Sequence, residues 1–213
     1  MDWLVAVWDF IQDDPERFTG LLVSHLRISL TALAISMLVY VPLGVVFARS
    51  PRVGSSAVGF ISAFRVIPSL ALIFVFVPVL GFGYRPALLA LIILAAPPLI
   101  LNTFAGLNNV DRATIEAAQG LGMNNAQVFF KVQLPLALPV ILAGVRSASV
   151  EIFASATLAS LIGVRTLGQF IFTGISLLDT TYLLVGGIPI VILVLTSELV
   201  LGGLERVATP PAS

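Results

Sequence analysis

"EAAQGLGMNNAQVFFKVQLPLALP", Glu116–Pro139, is a polar, helix-prone interlude between two apolar runs. Asp111 stands where it can cap a helix from Arg112 to Gln119, and Gly120-Leu121-Gly122 supplies residues tolerant of positive φ to end it. Asn124 and Gln127 have the spacing of a capping box. The pattern predicts a second short helix to about Gln133, after which Pro135 restarts the chain as a membrane span. The result is a helix–turn–helix on a membrane surface. It is expected to expose Ile115, Leu121, Met123, Phe129 and Phe130, which are unfavourable in water unless lipid or protein covers them. A helix lying in the groove of a soluble partner meets that need.

The surrounding chain explains why a membrane is invoked. Of 213 residues, 58% are hydrophobic and 10% charged, and the mean hydropathy is +1.07, far outside the range of soluble domains. Acidic and basic residues balance at 11 each, so no net charge points to nucleic acid as a partner. There is no cysteine, one histidine, His25, and Lys131 is the sole lysine. A zinc site, a Ser-His-Asp triad or a covalent lysine mechanism therefore has almost no material, and the chain does not read as an enzyme. The amino terminus lacks the basic region and cleavage site of a signal peptide, so the first apolar span is expected to be retained.

Crossing a hydrocarbon core takes about 20 apolar residues. Such stretches are expected near Ile28–Ala48, Val58–Leu80, Pro86–Phe104, Leu136–Ile162 and Tyr182–Leu204. The fold class is thus an all-α polytopic membrane protein of about five transmembrane helices. Residues 1–20 read as an external interfacial leader, with Leu4, Val7, Trp8 and Ile11 at helical spacing and Trp3 and Trp8 suited to a headgroup boundary. Residues 21–213 read as one transmembrane domain. The segment "GVRTLGQFIFTGISLLDTT", 163–181, is too short and too rich in glycine for a further crossing and is expected to be an interfacial or re-entrant helix. Arg49, Arg52, Arg112, Lys131 and Arg206 fall on one side of this topology, which favours the amino terminus outside and the loop at about 108–134 in the cytoplasm. Arg49 and Arg52 are read as topogenic, and His25 as an interfacial or capping residue.

A charge inside a bilayer costs roughly 2.5–3.5 kcal/mol on insertion scales, so Arg65, Arg146 and Glu151 should face protein or water. Ala143, Ser147, Glu151, Ser155 and Ala159 recur every four residues and form a small, polar stripe that either has a dimer-interface or structural role or lines a wet pathway. Pro68 with Ser69, Pro97-Pro98 with Asn102, and Gly186-Gly187 with Pro189 interrupt three spans, as packing kinks or as pathway hinges.

Glu116-Ala117-Ala118, Gly122 and the run Val132-Gln133-Leu134-Pro135 resemble the EAA loop of ATP-binding-cassette importer permeases, with Val132 where that family usually has isoleucine. "RVIPSLALI" (65–73), "AAPPLILNTFAGLNNVD" (95–111), "LPLALPVILAGVRSA" (134–148), "ASATLASLIG" (154–163) and "LERVATP" (204–210) are similar to the osmoprotectant branch, which imports glycine betaine, choline, carnitine or proline betaine. Arg65-Val66 and Val164-Arg165 depart from the Gln-Thr and Gly-Gly pairs common in that branch. The resemblance implies a multi-pass protein of a bacterial or archaeal inner membrane. Its coupling residues would be Glu116, Ala117, Ala118, Gly120, Gly122, Leu134 and Pro135. Its partners would be a cytoplasmic ATPase dimer, a second permease copy or paralogue, an external substrate-binding protein and lipid. ATP and magnesium would bind the ATPase, and no cofactor this chain. Candidates for the pathway or dimer interface are Arg65, Pro68, Ser69, Asn102, Ser147, Glu151 and Ser155. A self-sufficient secondary transporter or channel is the competing reading; it would call for an inverted repeat and several intramembrane carboxylates.

Overall fold

A computed structural model describes residues 2–209, with the side chains at positions 2, 4, 51–53 and 55 outside that description. Pro210 and the side chains of Leu4 and Arg52, all named above, lie outside it. Among the described residues the regular secondary structure is all helix. Four helices are long and apolar enough to cross a membrane, or five if one bent pair counts as a span.

The helices are α1 (Asp2–Asp13), α2 (Pro15–Ala48), α3 (Pro51–Ala63), α4 (Ser69–Val75), α5 (Val77–Leu80), α6 (Tyr84–Leu94), α7 (Ala96–Asn108), α8 (Arg112–Gly120), α9 (Asn125–Val128), α10 (Leu134–Ser155), α11 (Gly168–Leu177) and α12 (Thr180–Ala208). Local chemistry sets their ends. Asp14 accepts the backbone N–H of Arg17 at 3.0 Å and Pro15 opens α2, so the leader helix stops at Asp13. The expected span Val58–Leu80 is broken: α3 runs into a 3-10 turn at Phe64–Val66, and the chain bends by 95° before α4. Pro68 is the cause, because it holds extended backbone (φ −61°, ψ 132°) ahead of α4. The third span also has a joint. Pro97 and Pro98 cannot donate to the carbonyls one turn back, and helix resumes only after Ala95. Pro189, by contrast, leaves α12 continuous.

The chain forms two compact units. The first comprises residues 2–35, 67–95 and 149–197. Its core joins Val7, Leu21, Leu167, Phe170, Val185 and Ile190, with Phe10, Phe18 and Tyr182 packed against them. The leader therefore buries Val7 and packs half-buried Ile11 against α11 and α12, and leaves Trp3 and Trp8 exposed. The fourth span is shorter than expected: α10 ends at Ser155, a 3-10 turn follows at Leu158–Ile162, and Ala159 leaves the four-residue register of the stripe. The chain then doubles back so closely that a Cβ on Gly168 would overlap the carbonyl of Thr157. Where α10 ends, the backbone N–H groups of Ala156 and Thr157 bond Ile152 and Ala154, passing over Phe153. His25 fills that vacancy. It is fully buried, and its Nε2 donates to the Phe153 carbonyl at 3.1 Å. It is thus a cap, of α10 rather than of its own helix, and not an interfacial residue. The segment at 163–181 does form a short helix, α11, ended by Leu178 in the left-handed conformation.

The second unit comprises residues 36–66, 96–148 and 198–209. Here α7 lies against α2 and α10 at points where only glycine fits. A Cβ on Gly44 would come within 2.7 Å of Thr103 Cβ, and one on Gly144 within 2.7 Å of Asn102 Cβ. A separate cluster joins Leu107, Phe129, Ala137 and Ile141.

Gly186 and Gly187 offer a direct test of this packing. A Cβ at Gly186 would meet Ile171 Cγ1 at 2.8 Å and the Leu167 carbonyl at 2.9 Å, whereas nothing lies within 4 Å at Gly187. Gly186→Ala is expected to destabilise the chain by about 1–3 kcal/mol. Gly187→Ala should be neutral or slightly stabilising. Thermal unfolding of the detergent-purified variants checks both.

Candidate functional site

The segment between α7 and α10 is built almost entirely from local hydrogen bonds. Asp111 caps α8 by accepting the N–H of Ala113 at 3.2 Å. At the other end Gly122 takes φ +84°, its N–H bonds the Gln119 carbonyl at 2.9 Å, and the N–H of Met123 bonds the Ala118 carbonyl at 3.2 Å. These two bonds form a Schellman motif, which needs a left-handed residue at Gly122. Gly120 is the last residue of α8 and is exposed. Two residues further on, the N–H of Gln127 donates to Asn124 Oδ1 and the N–H of Asn124 to Gln127 Oε1, both at 2.9 Å, completing the capping box.

Beyond α9 the structure differs from expectation. Pro135 does not restart the chain; helix runs on through a π turn at Phe129–Gln133 into α10. Pro135 has no N–H for the carbonyl of Lys131, and the ladder widens just before it, with the N–H of Leu134 bonding Phe129 five residues back. Widening keeps the helix unbroken and turns Phe129 inward. Phe129, expected to be exposed, is buried against Leu107, Ala137 and Ile141, with Leu134 packed on the same cluster. The guanidinium of Arg49 lies 4.5 Å from its ring centroid. Ile115 and Met123 are half-buried, while Leu121 and Phe130 are exposed as anticipated.

The EAA residues divide by face. Ala118 points inward and is buried; Glu116 and Ala117 are exposed. Glu116 Oε1 lies 3.3 Å from Arg112 Nε, but both side chains are largely in solvent, so this pair holds the carboxylate weakly. Pro135 is exposed.

The second set of candidates is divided between the two units. Arg65, Asn102 and Ser147 belong to one unit; Pro68, Ser69, Glu151 and Ser155 belong to the other. Arg65 sits exposed in the 3-10 turn. Asn102 donates to the Pro98 carbonyl at 2.8 Å, and exposed Ser147 to the Ala143 carbonyl at 3.0 Å. Glu151 is half-buried and Ser155 buried. The structure also shows a charged cluster that sequence reading left incomplete. Arg146 Nε is 3.5 Å from Glu198 Oε1, and its Nη1 is 3.3 Å from Glu205 Oε2. The signal lay in Glu198, Gly202 and Glu205, which share one face of α12; a Cβ on Gly202 would stand 3.3 Å from the same Nη1.

The sequence pattern of binding-protein-dependent transport system inner membrane components matches residues 40–210. The chain belongs to this family. Over 97% of its length it is 41% identical to the carnitine transport permease protein OpuCB of Listeria monocytogenes, covering 95% of that protein. It is 37% identical to the choline transport system permease protein OpuBB of Bacillus subtilis (strain 168), over 94% of this chain and 93% of that one. Among solved structures, an inward-facing conformation of the MetNI methionine ABC transporter aligns with a TM-score of 0.81, covering 92% of this chain and 99% of that one at 19% identity, which establishes a shared fold. As a family member the chain is an inner-membrane component of a binding-protein-dependent transport system.

Gly122→Ala is expected to weaken the end of α8 by about 1 kcal/mol, because the left-handed backbone penalises a Cβ. Gly120→Ala, with open space around it and ordinary helical backbone, should not. Amide hydrogen exchange at Leu121–Met123 distinguishes the two.

Proposed function

We propose that this chain is the permease subunit of an ATP-driven importer of quaternary-ammonium osmoprotectants such as carnitine, choline and glycine betaine. In this reading the chain pairs with a second permease copy or paralogue, receives substrate from an external binding protein and hydrolyses nothing itself. ATP and magnesium bind a separate cytoplasmic ATPase dimer, so the amino terminus lies outside and α8 and α9 inside.

The carrying observation is the state of α8. It is an amphipathic helix of nine residues, capped at both ends, that buries Ala118 and leaves Glu116 and Ala117 on its outer face. Ala117 lets a partner surface approach closely, and Glu116 offers it a carboxylate. The substrate class is supported by relatives whose names specify carnitine and choline transport. Both tryptophans lie in the leader helix and are exposed. Strong cation–π capture of an ammonium group is therefore assigned to the external binding protein, and the permease needs only weak, transient contact.

The decisive experiment is a mild-detergent pull-down of the tagged chain from its native membrane. Recovery of an ATPase subunit is expected, and its loss with Glu116→Lys. Glu116→Lys and Gly122→Pro should both insert normally yet abolish betaine uptake, since they disturb docking and leave the spans intact. Active uptake by the chain alone, reconstituted without ATP, would identify a secondary transporter instead. For Glu151→Gln, loss of the permease pair assigns the stripe to the dimer interface; an intact pair with reduced uptake assigns it to the pathway.

A further inference from the structure

The groove beside α8 contains a positive charge that docking through Glu116 does not use. Arg49, just past the end of α2, lines a groove of about 610 Å³ together with Gln119, Asn125, Phe129, Phe130 and Gln133. Among the described residues Arg49 is the one titratable member of the lining. Among the described residues it has no carboxylate partner, whereas Arg112 is matched to Glu116 and Arg146 to Glu198 and Glu205. Stacking on Phe129 fixes the guanidinium by one face and leaves its in-plane N–H donors available. Much of the entropy of ordering this long side chain is thereby already lost before anything binds. Neutral amides at Gln119, Asn125 and Gln133 surround the charge, so the groove suits one negative group held by several donors. Its volume exceeds what a lone carboxylate or phosphate fills and fits a side chain with its adjoining backbone.

We propose that this groove receives an aspartate or glutamate side chain from the ATPase subunit, with Arg49 as its ion partner. The proposal rests on the coupling reading above, because Ile115 and Gln119 carry the groove onto the same helix as Glu116. Two docking charges of opposite sign then serve one interface, an exposed carboxylate at Glu116 on α8 and a stacked guanidinium at Arg49 in the groove that α8 helps to line. A partner must present the reverse pair in the same order. One charge would attract the partner, but two of opposite sign also fix its orientation and disfavour a misdocked one.

The test uses the chain and the ATPase subunit recovered with it from the native membrane, reassembled in lipid nanodiscs. Arg49→Glu is expected to weaken ATPase binding about tenfold or more, with the permease still folded and inserted. Arg49→Lys should keep part of the affinity, since it retains the charge and loses the stacked fork. If Arg49→Glu does not fold, Arg49→Gln carries the same comparison. The chain has no cysteine, so Asn125→Cys gives a single thiol for crosslinking to cysteines placed at acidic positions of the ATPase. Changing the crosslinked acid to lysine should restore binding to Arg49→Glu.

Discs of pure phosphatidylcholine are compared with discs containing phosphatidylglycerol. Equal dependence on Arg49 in both supports the proposal. If wild type loses affinity without the anionic lipid and Arg49→Glu adds nothing there, the groove holds a lipid phosphate and the proposal is wrong. If Glu116→Lys abolishes binding and Arg49→Glu does not, the coupling reading survives and this one fails. If neither variant matters, or no ATPase is recovered at all, both fail.

Discussion

A backbone carbonyl or N–H left without a partner inside a bilayer costs several kcal/mol, and this structure is organised by that penalty. At several points where the helical ladder stops or slips, a specific group covers what is exposed. His25 takes the Phe153 carbonyl at the end of α10. Asn102 donates to the Pro98 carbonyl one turn back within α7. The π turn before Pro135 rebonds Leu134 to Phe129. Ser62, Asn108, Ser147 and Ser176 each donate to the carbonyl four residues back. Much of the polar content of an otherwise apolar chain is therefore engaged in its own helices. A serine bonded in this way still offers a lone pair to a passing solute, but its hydroxyl proton is committed. Ser147 is consequently better placed as an acceptor than as a donor, whereas Asn102 keeps one amide N–H beside its carbonyl oxygen.

The parts of the fold that follow from neighbouring residues were legible in the sequence, and the parts that follow from distant ones were not. Asp111, Gly122, Asn124 and Gln127 act within four residues of themselves, and all four behave as their spacing suggests. The apolar length of α2 and α12 likewise sufficed to mark them as spans. Phe129 was misjudged because its exposure depends on a π turn imposed by Pro135 and on a pocket formed by Leu107 and Ile141. The end of α10 was misplaced because nothing between Ala156 and Ile162 is a strong helix breaker. The chain turns there because Gly168 can lie on the Thr157 backbone, a contact invisible until both segments are folded. Glu205 escaped notice for the same reason: only its distance from Arg146 gives it a role.

The pairing of Arg146 with Glu198 and Glu205 shows how charge is kept in the helices. Each side chain is at least a quarter exposed, so none bears the full penalty of burial, and the cluster is better viewed as orienting α12 against α10 than as a large source of stability. Gly202 is part of the same device. Its missing side chain gives the guanidinium room to reach both carboxylates. Within the first unit Gly20 stands in a similar relation to Arg165, whose Nη2 lies 4.0 Å from the position of a Cβ there.

In the coupling role proposed above, the segment between α7 and α10 would have to be stiff, because a compliant connector would absorb the displacement it passes on. The segment from Asp111 to Leu134 has that property for reasons specific to its residues. Both ends of α8 are capped, the turn at Gly122 is closed by two hydrogen bonds, the capping box removes slack before α9, and helix continues without a break into α10. Phe129 then ties the assembly to the bundle, with Arg49 from α2 on its ring. A push on α8 thus reaches α10 through continuous backbone and α2 through a side-chain stack. The same few residues that let the chain turn polar between two apolar runs also make the turn rigid, which an ordinary connecting loop has no reason to be.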